Sequence, residues 1–481
     1  MNAPLRRVAI SVLVLFTLLI VNVNYIQVVR SDELRNNQSN TRVLAAEYDR
    51  ERGAIVVAGT AIAESVPTDG RLKYLRQYPQ GELYAAVTGY HSLIYNNSQL
   101  EHAQNDILSG SDGRLALRRL ADLFTGRDPA GGDVVLTLDP AVQEAAMAGL
   151  EGVTGAVVAL DPTTGAILGM ASTPSYDPTL LSSHDPAAIR EYWAQLEAAE
   201  RDPRLNRAIG DNYPPGSLFK VIVSAAALED GRTPETVVPA PRELPLPNST
   251  RTIPNFGGTA CDPSGQQPLI EALTISCNTA FAQLGMDLGE DRVREMAEAF
   301  GMDGERFDIP LRVEGSTVGD ITDEAALAQT SIGQRDVRMT PLQAALIAAT
   351  VANDGVQMKP YLVDELQAPD LTVIDSTRPE EWREPVSADV ADQLTEMMVS
   401  VVANGSGRAA RIPGVQVAGK TGTAQVSEDV PDHTWFMGFA PADDPKIAVA
   451  VFVANGGGTG GERSAPIARQ VMQAYLDGLG G

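Results

Sequence analysis

Pro214-Pro215-Gly216-Ser217-Leu218-Phe219-Lys220 is the stretch on which the reading of this chain turns. A serine and a lysine stand three residues apart at the head of an apolar run, Leu218 to Leu228, that is followed by Gly231. Two prolines and a glycine before the serine suit a helix start, and the glycine after the run suits a stop. The run holds β-branched residues but is too long for an ordinary strand, so the spacing predicts a helix. Positions i and i+3 share a helix face about one turn apart, which brings Ser217 Oγ toward Lys220 Nζ. The run is apolar nearly all round, so the helix is expected to be buried. Burial disfavours a charged lysine, and an uncharged lysine beside a hydroxyl is a general base beside a nucleophile. A Ser-x-x-Lys pair alone is short and recurs by accident, so its meaning depends on what else the chain supplies.

The 481 residues are 44% hydrophobic and 21% charged, which suits two or three domains with ordinary globular cores. A net charge of −25 argues against nucleic acid or an anionic membrane surface as the main partner. Basic residues are mostly arginine, and the five lysines are Lys73, Lys220, Lys359, Lys420 and Lys446. A lysine set among hydroxyls is therefore less readily an accident.

Arg6 and Arg7 precede an apolar run from Val8 to about Val29. A helix over that run reaches roughly 33 Å, enough to cross a bilayer, although Asn22, Asn24 and Gln27 weaken its far end. No small-residue cleavage site follows, so an uncleaved anchor is expected. Arginines before the run and Asp32 and Glu33 after it favour an inside N-terminus. Residues 1–7 then form a cytoplasmic tail, 8–29 a transmembrane anchor, and the rest lies outside the cytoplasm.

Residues 30–150 open as a polar, irregular, non-catalytic spacer or docking module, with short alternations such as Gly53 to Val57. His91 and His102 read as packing or surface residues, and Gly126 to Gly132 as a linker. Asp139-Pro140 opens a helix running to about Leu150, with the aspartate as N-cap. In residues 151–481, Gly155–Leu160 and Ala166–Ala171 flank a hairpin turn. Val415–Val426 reads as a strand, and Thr434–Phe439 and Ile447–Val453 as two more around a second turn, before a helix from about Ser464 to Leu476. Two strands from the start of this region and three from its end, around a mostly helical insert, predict an α+β domain with a five-stranded antiparallel sheet flanked by helices.

Two further motifs bear on Ser217. Ile275-Ser276-Cys277-Asn278-Thr279 offers a second hydroxyl and a carboxamide; a hydroxyl relays protons and an amide holds a peptide group. Lys420-Thr421-Gly422-Thr423 falls on the first C-terminal strand. A strand glycine marks close approach by a backbone or ligand, an edge strand binds an extended peptide, and a lysine with two threonine hydroxyls receives a carboxylate.

The three motifs in this order resemble the penicillin-binding protein and serine β-lactamase superfamily, whose signature is S-x-x-K, S-x-N and K-T-G. Arg52 to Ile55, Gly155 to Pro162, Tyr213 to Ser217 and Thr340 to Gln343 look like class B penicillin-binding proteins, the monofunctional transpeptidases. Length and arrangement are similar to the actinobacterial A-type of that class, with anchor, pedestal (dimerisation-like) module and C-terminal penicillin-binding domain. The resemblance implies a peptidoglycan D,D-transpeptidase. Ser217 would attack the D-Ala-D-Ala bond of a stem peptide, Lys220 would take the hydroxyl proton, and Ser276 would pass a proton to the leaving D-alanine, aided by Lys420. Asn278 would position the donor, Thr421 and Thr423 would bind the terminal carboxylate with Gly422 between them in the substrate-binding motif, and an amine from a second stem peptide would resolve the acyl-enzyme. Penicillins would acylate Ser217, and a polytopic glycan polymerase of the shape, elongation, division and sporulation (SEDS) type would be a partner.

A D,D-carboxypeptidase or a β-lactamase uses the same Ser-Lys site. The latter needs a base to activate water, and no glutamate is assignable to that role. A penicillin-sensing receptor or a scaffold shares the motifs too, but a receptor lacks room for signalling segments in so short a tail. Cys261 and Cys277 are the only cysteines; outside the cytoplasm they suggest a disulfide at the active-site rim, the alternative being two buried thiols. The chain has no His-Glu-x-x-His, no cysteine–histidine metal spacing and no nucleotide fingerprint, so neither metal nor cofactor is expected.

Overall fold

The computed structural model describes residues 2–30, 48–116, 130–427 and 429–480. Asp32, Glu33 and residues 126–129 of the expected linker lie outside the described residues. Helix α1 (Asn2–Asn24) runs on through a π-turn to Val29. Its stretch Arg6–Val28 has a mean hydropathy of 2.2 and is exposed throughout, long and apolar enough to cross a membrane.

Strands β1 (Ile55–Val57), β2 (Thr60–Pro67), β3 (Tyr74–Gln77) and β4 (Asp133–Leu136) come next. Helix α2 (Pro140–Gly149) follows, with Asp139 accepting a hydrogen bond from Val142 N as its N-cap. Then come β5 (Gly155–Leu160) and β6 (Ile167–Thr173), α3 (Lys220–Glu229), a hairpin of β7 (Glu243–Pro245) and β8 (Thr252–Pro254), α4 (Leu269–Thr274) and α5 (Asn278–Leu288). Helices α6 (Glu324–Thr330) and α7 (Pro341–Ala352) precede strands β9 (Val363–Gln367) and β10 (Val373–Ser376). The chain ends on α8 (Ala388–Ala403), strands β11 (Ala418–Ala424), β12 (His433–Ala440) and β13 (Ile447–Val453), and α9 (Gly460–Leu479).

The catalytic sheet has the order β11-β12-β13-β5-β6 and is antiparallel throughout, so the expected α+β architecture holds. Its middle strands are buried on both faces, and alternate residues serve two cores. Val157, Val449 and Val451 face α2 and α9, where Val142, Ala146, Ala468 and Val471 lie. Val158, Ala450 and Phe452 face the other way, toward α7 and the helical insert. Helix α7 is buried at every position, which is why its sequence is apolar all round.

Two features differ from the sequence reading. The region read as irregular supplies β1 to β3, and the apolar stretch after it supplies β4, to a second sheet of order β10-β9-β4-β1-β2-β3, two strands of which arrive from residues 363–376. Strands β1, β4 and β9, of three to five residues, carry little periodic signal, and β4 and β9 are distant from each other in sequence. Helix α2, set before the expected boundary at 150, packs on the catalytic sheet with Val142 and Ala146 fully buried. His91 is a packing residue, as expected, with its ring stacked on Tyr48. Beside it Glu101 is buried between Arg52 and Arg76, at 2.6 and 2.7 Å. Burial raises the pKa of this carboxyl, but the two guanidiniums outweigh that and hold it at about 2.

Candidate active site

Ser217 lies on a 3-10 turn, Gly216–Phe219, and the α-helix begins only at Lys220. The expected single helix is corrected to this extent. A 3-10 turn eclipses side chains at i and i+3, so Ser217 and Lys220 still share a line along the turn. Gly216 has a φ of +54°, and a Cβ there would stand 2.3 Å from Thr423 O; only glycine lets the turn come this close to β11. Gly216 N donates to Gly333 O at 2.9 Å, and Trp435 Nε1 donates to Pro214 O at 2.9 Å.

Lys220 is fully buried. Its Nζ donates to Ser276 O at 2.8 Å, to Asn278 Oδ1 at 2.7 Å and to Ser276 Oγ at 3.2 Å. Lys420 Nζ reaches the same hydroxyl from β11, at 2.9 Å, and also donates to Thr421 O at 2.8 Å. Ser276 Oγ is thus held between two amines. Its backbone has a φ of +61°, a region that non-glycine residues seldom adopt, and such strain clusters at functional sites. No hydrogen bond joins Ser217 Oγ to Lys220 among the described residues; catalytic contacts in an empty site are commonly long and tighten on substrate.

Burial, and then the charge of Lys420, hold Lys220 well below the usual lysine range. Burial lowers Lys420 to about 7. Ser217, Ser276, Asn278, Thr421 and Thr423 line one cleft of about 710 Å³. Gly422 stands where a Cβ would come within 2.7 Å of Pro215 O, so strand and turn meet there. The turn after hairpin β7–β8 forms another wall, with Phe256 exposed. Asn255 ties that wall to α5, its Oδ1 accepting from Thr279 N at 3.0 Å. Cys261 and Cys277 are bonded in the structure, across 16 residues.

Every residue singled out in the three motifs therefore falls in or against this cleft. His433 does not enter it: its ring is buried among Tyr213 and Phe452, with Nδ1 accepting from Asn455 N at 3.0 Å. Thr459 and Gly461 bring the loop Asn455-Gly456-Gly457-Gly458-Thr459-Gly460-Gly461 to the rim of the cleft. Three residues of the site were not singled out. Trp435 and Asn255 carry no motif, and Ser406, which lies 2.6 Å from Thr421 Oγ1, sits in Asn404-Gly405-Ser406-Gly407, a string that reads as an ordinary turn. Among the described residues no group of three or more His, Cys, Asp or Glu side chains is placed to hold a metal ion.

Residues 155–473 match the penicillin-binding protein transpeptidase domain. The chain belongs to that family. Residues 52–134 match the penicillin-binding protein A dimerisation domain. Over 488 residues this penicillin-binding protein is 50% identical to the peptidoglycan D,D-transpeptidase PbpA of Mycolicibacterium smegmatis, covering 99% of each chain. It is 49% identical over 490 residues to the protein of the same name from Mycobacterium tuberculosis, covering 99% of this chain and 100% of the other. The ceftriaxone acyl-enzyme of M. tuberculosis penicillin-binding protein A superposes with a TM-score of 0.88 at 49% identity, over 90% of this chain and 100% of that one. The penicillin G acyl-enzyme gives 0.86 at 49% identity, over 89% and 100%. The expected kinship with class B penicillin-binding proteins holds.

Proposed function

We propose that this chain is a peptidoglycan D,D-transpeptidase working through a serine acyl-enzyme, and that β-lactams acylate it. The observation that carries the reading is Ser276 Oγ held between the Lys220 and Lys420 amines in the cleft that Ser217 also lines. Ser217 Oγ attacks the carbonyl of the D-Ala-D-Ala bond, and Lys220, kept largely neutral, takes its proton. The oxyanion is received by the backbone N–H groups of Ser217 and Thr423; losing one donor of such a hole costs about 10²–10³ in rate. Both lone pairs of Ser276 Oγ face lysines, so its proton is free to pass to the leaving D-alanine nitrogen, with Lys420 restoring it. Asn278 positions the donor peptide, Thr421 and Thr423 bind the terminal carboxylate, and Gly422 admits the substrate backbone beside β11. An amine from a second stem peptide then attacks the ester and frees Ser217.

In this reading residues 1–7 are a cytoplasmic tail and 8–29 a single-pass anchor. Residues 30–150 form the pedestal and 151–481 the transpeptidase domain on the extracytoplasmic face, α2 packing with the latter. A SEDS-type glycan polymerase is the proposed membrane partner, and no cofactor takes part. Fluorescent-penicillin labelling of the native protein and of Ser217→Ala tests the chemistry. Native protein is expected to carry a dye that survives denaturation, and the variant none. Equal labelling of both would remove Ser217 from its role.

A further inference from the structure

The loop after α8 places a hydroxyl in the cleft that belongs to none of the three motifs. Ser406 Oγ lies 2.6 Å from Thr421 Oγ1, the shortest side-chain contact at the floor of the cleft, and both residues line it. Thr421 is buried, whereas Ser406 is open to the cleft. The loop is clamped from two sides. Ser406 N donates to Thr274 O at 3.1 Å, at the end of α4, two residues before Ser276. A Cβ on Gly405 would stand 1.9 Å from Thr274 O, and one on Gly461, in the first turn of α9, 2.3 Å from Ser406 O. Glycine at both positions lets the loop seat this hydroxyl.

Two hydroxyls this close share one proton between them, and the other proton is free to point elsewhere. We infer that Ser406 donates to Thr421, so that the Thr421 proton is aimed into the cleft at the terminal carboxylate of the substrate. Ser406 is thereby a positioning residue for carboxylate recognition. The chain of two hydroxyls strengthens the outer donor, and the Thr274 contact ties the carboxylate-binding strand to the loop that carries Ser276. This inference rests on the transpeptidase reading.

The test uses the full chain and two probes, penicillin G and its methyl ester, which differ only in the carboxylate. In Ser406→Ala the second-order acylation rate is expected to fall about tenfold for the free acid and less than about twofold for the ester. Ser406→Thr, which keeps the hydroxyl, is expected within about threefold of native protein on both probes. Thr421→Val is expected to lose the same selectivity, with no further loss when Ser406→Ala is added. Equal losses on acid and ester, or an alanine variant as fast as native protein, overturn the inference. Should Ser406→Ala fail to fold, Ser406→Cys supplies the comparison and must show the acid-selective loss. A native protein that neither probe acylates overturns the transpeptidase reading itself, whereas a native protein that reacts beside an unaffected variant overturns only the role of Ser406.

Discussion

Lys420 shows how one buried residue sets a working pH. It is fully buried, and burial lowers it to about 7. Below that pH the amine is charged and attracts a carboxylate; above it the attraction is gone. The second-order rate reports the free enzyme, so acylation by penicillin G is expected to fall as pH rises through about 7, and more steeply than acylation by its methyl ester, which loses only the proton that Lys420 returns to Ser276. A stopped-flow pH profile on both probes checks this, and parallel profiles would count against it. Burial and the charge of Lys420 hold Lys220 well below the usual lysine range, which favours its neutral amine. These residues were legible because Ser-x-x-Lys, Ser-x-Asn and Lys-Thr-Gly are local patterns whose chemistry follows from residue type. What local pattern does not carry is the partner. Lys220 meets Ser276 across 56 residues and Lys420 meets it across 144. Ser406 stayed hidden because a serine between two glycines says nothing of the Thr421 hydroxyl that it meets.

Among elements, those with a strong period were read well and those without it were not. Strands β5 and β13 lie where their apolar runs placed them. Helix α9 begins at Gly460 rather than near Ser464, since Thr459 and Glu462 close a capping box at its start. The hairpin β7–β8 is short and rich in proline, and it holds its place against the cleft through Asn255 and the Cys261–Cys277 bond. A crosslink closing a loop of this length removes chain entropy from the unfolded state worth about 3 kcal/mol. Reduction is therefore expected to lower stability by about that amount and to slow acylation, as the wall beside Asn278 loosens. Urea unfolding with and without reductant measures the first. Non-reducing mass spectrometry that found both thiols free would remove the premise.

Across the whole molecule the two sheets are not separate beads. Strand β4 pairs in parallel with β1 and antiparallel with β9, so the pedestal sheet is completed by residues from beyond the nucleophile. A fragment of residues 151–481 would leave β9 paired with β10 but without β4 and expose the catalytic face that α2 covers. It is expected to aggregate or to melt well below residues 30–481, as calorimetry and gel filtration would show. Equal melting temperatures would mean that the sheets are independent. None of this pairing was visible in sequence, because β9 reads as an isolated polar alternation until β4 lies beside it. The chain leaves the pedestal after Leu136, returns at Val363 and departs again after Ser376. A head on one tether swivels; a head stitched on by three passes of chain does not. Whatever grips the pedestal therefore also aims the mouth of the cleft, and turning one turns the other.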